Sequence, residues 1–230
     1  MSDTTVVEPG DAILPGNPPM VHRYRVFPRV NHWVTAIAMV LLILSGLAMF
    51  HPSLFFLTAI FGGGQNTRAF HPWFGIVLSL SFLVLFFQFW RGNLWTREDT
   101  SWSLHIGDLL RGHEEKMPEI GRNNAGQKLV FWSMALLVLG LFVSGIVIWD
   151  EYFSHLTSIE TQRLAVWAHS ILAVVAICVF IVHVASAIWV RGSIEAMITG
   201  VVPAGWAYRH HRKWFRKLVA QAEQERSGKQ

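Results

Sequence analysis

Four apolar stretches, each long enough to cross a lipid bilayer, constrain the fold of this chain most strongly. They cover about residues 30–50, 71–90, 129–149 and 164–190. Inside a bilayer every backbone polar group must find its partner within the protein, so segments of this length fold as α-helices. The sequence therefore predicts an all-α integral membrane protein whose domain is a four-helix transmembrane bundle.

The basic residues are unevenly distributed along the chain. Seventeen of the 19 Lys and Arg residues lie before the first stretch, between the second and third, or after the fourth; the other two are Arg68 and Arg163. Because cytoplasmic loops carry the excess of positive charge, we expect a multi-pass membrane protein with both termini in the cytoplasm. This topology explains the net charge of +4 without a nucleic-acid partner.

The composition divides the chain into three parts. Residues 1–21 are polar and proline-rich and are predicted to be a flexible cytoplasmic lead-in, and residues 22–191 form the transmembrane domain. Residues 192–230 mix tryptophans with basic residues, which predicts a cytoplasmic, basic amphipathic element on the lipid of the inner leaflet or against a partner subunit. His210 and His211 in this tail are expected to be solvated or lipid-facing.

Four histidines, His32, His71, His169 and His183, lie inside or at the ends of the apolar stretches. An ionisable side chain in hydrocarbon is costly, so each is a candidate functional residue. His169 and His183 share one predicted helix, about 21 Å apart and within about 40° of the same face. Neutral imidazole is an axial ligand of haem iron, and two imidazoles fill both axial positions. The pattern predicts a membrane cytochrome with two b-type haems.

The predicted topology determines which histidines can meet. His32 and His183 lie near the inner surface, whereas His71 and His169 lie near the outer one. We therefore expect His32 and His183 to bind an inner haem b, and His71 and His169 to bind an outer haem b. The opposite pairings would require one haem to bridge most of the membrane thickness.

Two questions about the outer site remain open. His51 and His155 lie in the outer loops, and either can take the place of His71 as a ligand. Four glycines within the spans either admit a flat macrocycle or serve ordinary helix packing. They are Gly46, Gly75, Gly140 and Gly145.

The cysteine content limits how cofactors are held. Cys178 is the only cysteine, and no CxxCH motif is present. One thiol cannot hold an iron–sulfur cluster, and covalent haem attachment requires the missing motif. Any haem is therefore bound non-covalently, and any iron–sulfur relay belongs to another subunit.

Several motifs resemble the cytochrome b (gamma) subunit of respiratory, membrane-bound formate dehydrogenase. They are Asn31-His32-Trp33, the segments 68–75, 124–128, 131–133, 145–149 and 188–193, and the pair His169 and His183. Their order and spacing agree with the family as well as their residue types. The resemblance covers about residues 22–217.

This resemblance implies a subunit of the bacterial cytoplasmic (inner) membrane that anchors an iron–sulfur (beta) subunit and a molybdenum- or tungsten-pterin catalytic (alpha) subunit. Electrons from formate would pass through the outer and then the inner haem b to a quinone, menaquinone or ubiquinone, near the cytoplasmic face. The family's haem ligands map onto the same two histidine pairs. The chain is thus expected to transfer electrons and reduce quinone, and not to oxidise formate by itself.

The family's quinone site maps onto Asn124, Gly126 and Gln127. The two amides supply donors and acceptors for a quinone carbonyl and its reduced hydroxyl, and the glycine leaves its backbone open to a planar ring. From the residues alone, a turn that caps the third span is the favoured interpretation of this run. The family match favours the quinone site.

Two other functions fit parts of the pattern. The same architecture serves as the cytochrome b of a hydrogenase or a thiosulfate reductase, which the identity of the partner would distinguish. A haem-free membrane anchor or transporter is a different class, which two b-type haems per chain would exclude.

Overall fold

The structure, a computed structural model, describes residues 5–113 and 117–228; residues 1–4 of the predicted lead-in and 229–230 of the predicted tail lie outside them. In chain order the helices are α1 (Val26–Phe50), α2 (Gly64–Phe89), α3 (Arg97–Leu104), α4 (Ile106–Leu110), α5 (Ala125–Ile148), α6 (Asp150–Phe153), α7 (Ile159–Trp189), α8 (Ser193–Thr199), α9 (Ala204–His210) and α10 (Arg212–Ser227). Helices of the 3₁₀ type lie at Pro52–Phe61, Arg91–Asn93 and Ser154–Leu156. The strands are β1 (Ala12–Leu14), β2 (Met20–His22) and β3 (Val201–Pro203).

Within the described residues, four helices are long and apolar enough to cross a membrane, namely α1, α2, α5 and α7. Each coincides with one predicted stretch but begins before it. The longest, α7, has 31 residues and begins after Ser158, whose Oγ accepts a hydrogen bond from Thr161 N (3.3 Å). A serine in this position satisfies an amide of the first turn that has no partner within the helix. The prediction of four spans is confirmed.

The chain forms two compact units. The bundle unit comprises residues 30–87 and 133–182, and the terminal unit comprises residues 1–29, 88–132 and 183–230. These boundaries differ from the predicted division at residues 21 and 191. The difference arises because the terminal unit includes the ends of several long helices together with both terminal segments.

All four spans contribute to the apolar core of the bundle unit. Its buried members are Ala38, Met39, Leu78, Leu137, Val138 and Ala176. Polar contacts add to this core: Asn31 Nδ2 donates to Ser81 O (2.9 Å), and the hydroxyls of Thr35 and Ser81 are 3.0 Å apart. In a membrane, close packing and such interhelical hydrogen bonds hold helices together, since lipid is as apolar as the side chains.

The proline-rich lead-in takes part in a small sheet, although a flexible segment was expected. Strands β1 and β2 pair antiparallel, and β2 pairs antiparallel with β3, which gives the order β1-β2-β3. The all-α prediction is therefore corrected to a mostly helical chain with a three-stranded sheet in the terminal unit. Strands of three residues carry too short an alternation of apolar and polar positions to be recognised in the sequence.

The tail also differs from its predicted form as one amphipathic element. It folds as α8, β3, α9 and α10. Trp214 is fully buried and Leu218 is 3% exposed, and both belong to an apolar cluster with Val21 of β2. The apolar face expected on the leaflet or a partner thus packs within the chain, because the lead-in supplies a surface to cover it.

A buried ionic cluster joins three segments of the terminal unit. The carboxylate of Asp11 accepts hydrogen bonds from Arg122 Nε (2.9 Å) and Nη2 (3.1 Å) and from Trp214 Nε1 (2.9 Å). Arg23 and Arg122 each donate to the other's backbone carbonyl, at 2.7 and 2.5 Å. The guanidinium of Arg23 also lies over the ring of Trp214, 5.0 Å from its centroid, a favourable cation–π contact.

His211 is buried beside this cluster rather than solvated or lipid-facing. It is 2% exposed, and its Nδ1 lies 3.0 Å from Gly121 O. Burial lowers the pKa of His211 well below its usual value, and the charge of Arg23 lowers it further. The imidazole is therefore neutral and serves as a packing and hydrogen-bonding group.

Candidate functional site

His71 and His169 lie side by side in the bundle unit. Their ring centroids are 6.3 Å apart and the ring planes are inclined by 70°. His71 lies two turns inside α2, because that helix begins at Gly64 and not at the histidine. His169 lies in the third turn of α7, and both side chains are half-buried. The two residues predicted to share the outer site are thus brought together by two neighbouring helices.

The separation of these rings fits two imidazoles that share one metal ion. With metal–imidazole bonds of about 2.0–2.1 Å and a ring centre about 1.1 Å from the ligating nitrogen, imidazoles on opposite sides of one ion have centroids about 6.3 Å apart. The observed distance is 6.3 Å. Two imidazoles leave the coordination of a metal incomplete, and the four nitrogens of a haem macrocycle complete it. The donor set therefore fits a haem with two axial histidines.

A serine from a neighbouring helix holds each imidazole. Ser45 Oγ of α1 is 2.7 Å from His71 Nδ1, and Ser144 Oγ of α5 is 2.9 Å from His169 Nδ1. Each serine hydroxyl also donates to the backbone carbonyl one turn earlier in its own helix, at 2.7 Å in both cases. Since a hydroxyl has only one hydrogen, each serine oxygen must accept a hydrogen bond from the imidazole Nδ1–H.

This pair of hydrogen bonds determines the tautomer of both rings. With the proton on Nδ1, the lone pair of Nε2 is free to bind a metal ion. Partners of this kind orient a ligating histidine and increase its basicity. Ser45 and Ser144 were not predicted from the sequence, although the dipeptide Ser-Gly occurs near the predicted outer end of both the first and third spans.

The glycines that follow these serines lie against the imidazoles. A Cβ atom on Gly46 would stand 3.4 Å from His71 Cε1, and one on Gly145 would stand 3.5 Å from His169 Cε1. Contacts of this length are ordinary, but any larger side chain would meet the ring. Gly46 and Gly145 therefore give the two histidines room to approach the neighbouring helices.

The other two glycines of the spans differ from each other. A Cβ on Gly75, one turn after His71, would meet no described atom within 4 Å, so this face of α2 has open space near His71. A Cβ on Gly140 would stand 2.9 Å from Leu172 Cδ1. Gly75 thus fits the interpretation that glycines admit a macrocycle, and Gly140 fits the interpretation of helix packing.

The two alternative histidines lie elsewhere. His51 is exposed, and its Nδ1 accepts a hydrogen bond from Ser53 N (3.2 Å) at the start of the 3₁₀ helix Pro52–Phe61. His155 is exposed in the 3₁₀ helix Ser154–Leu156. The ring that stands beside His169 is that of His71.

The predicted inner ligands belong to different compact units. His32 lies in α1 within the bundle unit, where its ring meets Trp33 edge-on at a centroid distance of 5.9 Å. His183 lies near the end of α7 within the terminal unit. Their pairing stays a prediction from the sequence.

The run proposed for quinone forms a reciprocal cap at the start of α5. Asn124 Oδ1 accepts from Gln127 N (2.8 Å), and Gln127 Oε1 accepts from Asn124 N (2.9 Å). A Cβ on Gly126 would stand 3.4 Å from the ring of Trp102, so this indole covers the backbone that was expected to be open. The turn-and-cap interpretation thus describes the geometry of these residues. The nitrogen of each side-chain amide keeps its donor hydrogens.

A buried ion pair fixes the same region. Lys128 Nζ lies 2.6 Å from Asp99 Oδ2, with the two side chains 7% and 2% exposed. The same carboxylate oxygen accepts hydrogen bonds from Thr96 N and Oγ, both at 2.7 Å, so three donors surround its negative charge. Lys128 Nζ also donates to Leu94 O (3.0 Å). These contacts hold the segment 94–104 against the first turn of α5.

Comparison with known proteins extends these observations. The family model described as prokaryotic cytochrome b561 matches residues 23–200. The cytochrome b556(fdo) subunit of formate dehydrogenase from Escherichia coli K12 is 39% identical over 88% of this chain and 95% of that protein. The cytochrome b556(Fdn) subunit of the nitrate-inducible formate dehydrogenase from the same organism is 36% identical over 90% and 95%. The formate dehydrogenase cytochrome b556 subunit of Haemophilus influenzae is 35% identical over 93% and 92%.

Proposed function

Because the chain belongs to the prokaryotic cytochrome b561 family, we propose that it is the membrane-anchoring cytochrome b subunit of a formate dehydrogenase complex. In this proposal a catalytic alpha subunit with a molybdenum- or tungsten-pterin oxidises formate, and an iron–sulfur beta subunit passes the electrons on. The chain delivers them through an outer and an inner haem b to menaquinone or ubiquinone near the cytoplasmic face. Relatives named as formate dehydrogenase subunits, aligned over about nine-tenths of the chain, support this role.

The observation that carries the proposal is the outer histidine pair. The ring centroids of His71 and His169 are 6.3 Å apart, a separation that would suit two imidazoles holding one haem iron. Each presents Nε2, because Ser45 and Ser144 accept a hydrogen bond from Nδ1–H. By the same chemistry, and from the predicted topology, His32 and His183 are the proposed ligands of the inner haem.

These residues suit electron transfer rather than substrate chemistry. A bound haem b supplies reversible one-electron oxidation and reduction, while the protein supplies orientation and electrostatics. His71 and His169 would hold the haem iron between them, and two imidazole ligands would leave no position on the metal for oxygen or other small ligands. Their half-buried positions among apolar helices limit the access of water, and Ser45 and Ser144 hold the rings in one orientation. Formate oxidation therefore remains with the partner subunit.

The proposed quinone site consists of Asn124, Gly126 and Gln127. The amide nitrogens of Asn124 and Gln127 can donate to a quinone carbonyl, and each capping oxygen retains a second lone pair for a quinol hydroxyl. The buried pair of Lys128 and Asp99 supports the proposal, since it keeps the first turn of α5 in a fixed position. In the predicted topology this turn faces the cytoplasm, as do both termini of this inner-membrane protein.

Purification of the complex through a tag on this chain tests the function. Pyridine extraction should give two b-type haems per chain, and formate should reduce both. His169→Ala should lower the count to one, whereas the control His155→Ala, in an exposed outer segment, should keep two. A co-purifying hydrogenase or thiosulfate reductase, with haems that formate does not reduce, would reassign the partner. A chain without haem would contradict the proposal itself.

A further inference from the structure

The terminal unit contains a cavity of about 240 Å³ beside the buried ionic cluster. Its walls include residues 23–25, which precede α1, residues 27 and 28 in the first turn of α1, and residues 88–89, which end α2. Arg122 of the loop before α5 and Glu8 of the lead-in complete the polar part of the lining. The cavity therefore lies where two membrane-spanning helices end, outside the histidine pair and outside the run 124–127.

Arg23 brings a buried hydrogen-bond donor without an acceptor to this cavity. Its side chain is 2% exposed, and Nη2 donates to Arg122 O (2.7 Å). Nη1 is buried and has no hydrogen-bond partner among the described residues. A buried donor without an acceptor destabilises a protein, and more so when it carries charge, so an acceptor placed here would be bound strongly.

The charges around the cavity favour an anion. Asp11 lies nearby, but Arg122 occupies its carboxylate through two hydrogen bonds. The lining contains three guanidinium groups, of Arg23, Arg25 and Arg122, and the one carboxylate among its described residues is that of Glu8. Burial raises the pKa of Glu8, and the charge of Arg122 acts in the opposite direction. Around Arg23, aromatic faces, the backbone carbonyl of Arg122 and the phenol of Tyr24 balance part of its positive charge, and Asp11 acts in the same direction.

Gln88 contributes the complementary group. Its Oε1 is buried and has no hydrogen-bond partner among the described residues, although the side chain as a whole is half-buried. An amide oxygen accepts a hydrogen bond from a hydroxyl or an amine. The lining of the cavity therefore includes a charged donor and a neutral acceptor, neither of which has a hydrogen-bond partner among the described residues.

The neighbouring surface is apolar. Phe27 lines the cavity and is 63% exposed, and Val26 beside it is 66% exposed. Both belong to the first turn of a membrane-spanning helix, so their exposed faces suit contact with lipid tails. A ligand that fills the cavity with an anionic group would extend its apolar part along this surface.

We propose that this cavity binds the headgroup of an anionic phospholipid of the phosphatidylglycerol type. The phosphodiester accepts from Arg23 Nη1, with Arg25 at the rim, and a glycerol hydroxyl donates to Gln88 Oε1. Basic pockets at the cytoplasmic ends of transmembrane helices are suited to such headgroups, and arginine is suited to phosphate. Inorganic phosphate shares the anionic group but uses neither the acceptor of Gln88 nor the apolar surface of Phe27.

Binding is measured with the full-length, haem-loaded chain in a neutral detergent, using short-chain dihexanoyl phosphatidylglycerol as the probe. Dihexanoyl phosphatidylcholine and inorganic phosphate are tested as competitors. Gln88→Glu, which places a negative charge in the cavity, should raise the dissociation constant for phosphatidylglycerol at least tenfold. Gln88→Leu should raise it about threefold to tenfold, because it removes one neutral hydrogen bond. Arg23→Lys, which keeps the charge and removes Nη1, should also weaken binding about tenfold. Arg226→Gln, an exposed arginine of α10, is the matched control and should leave binding unchanged.

The outcomes distinguish the possible ligands. Phosphatidylglycerol binding that depends on Gln88 but not on Arg226 supports the proposal. Equal weakening by Arg226→Gln would mean attraction by net charge alone and would refute the site. If inorganic phosphate displaces the lipid, and the affinity for phosphate falls in Arg23→Lys but not in Gln88→Leu, the cavity is a site for free phosphate. That result would overturn the lipid assignment. Circular dichroism and the haem absorption spectrum of each variant show whether the chain remains folded.

Discussion

Replacement of Ser144 by alanine isolates the hydrogen bond that orients His169. In the native chain Ser144 Oγ lies 2.9 Å from His169 Nδ1 and accepts a hydrogen bond from Nδ1–H, because the hydroxyl hydrogen is donated to Gly140 O. Alanine leaves Nδ1–H without an acceptor in a half-buried site and frees the ring to rotate. The change is small in volume and keeps the helix, so packing is altered little.

The expected magnitude follows from two independent estimates. Leaving one buried donor unsatisfied costs about 1–3 kcal/mol. Removing the hydrogen-bond partner of a ligating histidine typically lowers metal affinity by about 10–100-fold, and each factor of ten corresponds to about 1.4 kcal/mol. We therefore expect Ser144→Ala to speed the loss of the outer haem by about 10–100-fold and to leave the inner haem unaffected.

The assay follows haem transfer from the purified chain to excess apomyoglobin by absorbance. About half of the haem should transfer in a fast phase in Ser144→Ala and in Ser45→Ala, which affects the other ring of the same pair. Ser144→Thr should restore the slow rate, because it keeps the hydroxyl. Ser170→Ala is the control: Ser170 follows His169 in the chain, and its hydroxyl donates to Val166 O (2.9 Å). Haem loss that is equally fast in Ser144→Ala and Ser170→Ala would refute the role given to the serine.

Two further predictions concern the terminal unit. The double variant Asn124→Ala and Gln127→Ala should slow quinone reduction by up to about tenfold for each lost hydrogen bond. Haem reduction by formate should stay intact. Unchanged quinone turnover would mean that the quinone binds elsewhere. Asp11→Asn should destabilise the chain by about 3–5 kcal/mol, because it leaves the buried charge of Arg122 without its counterion. Thermal unfolding followed by tryptophan fluorescence measures this change. The control is Glu119→Gln: Glu119 is an exposed partner of Arg216, and its replacement should lower the free energy of unfolding by no more than about 1 kcal/mol.

The membrane character of the chain could be predicted because it depends on local composition. A helix of 20 apolar residues is stable in a bilayer whatever it packs against, so the four spans were found from the sequence with ends near those observed. The depth of each histidine followed from its place in a span. Depth placed His71 near His169 but left His51 and His155 as alternatives, and the structure brings the rings of His71 and His169 together.

Contacts between segments distant in the chain required the tertiary structure. Ser45 is 26 positions from His71, and Ser144 is 25 from His169. Whether two such side chains meet depends on how each helix is rotated and packed against its neighbour, and composition does not encode that rotation. Trp214 is buried against the lead-in, where its indole donates to Asp11, 203 positions earlier in the chain. This contact could not be predicted from the sequence for the same reason.

The run from Asn124 to Gln127 illustrates the division most directly. The residue types are compatible with a quinone site and with a helix cap, and only the geometry shows that both side-chain oxygens close the cap at the start of α5. The sequence by itself therefore determined which segments enter the membrane and at what depth the ionisable groups lie, since burial in lipid is a property of each segment. The tertiary structure decided which groups partner one another, because hydrogen bonds act over about 3 Å and are set by packing between segments.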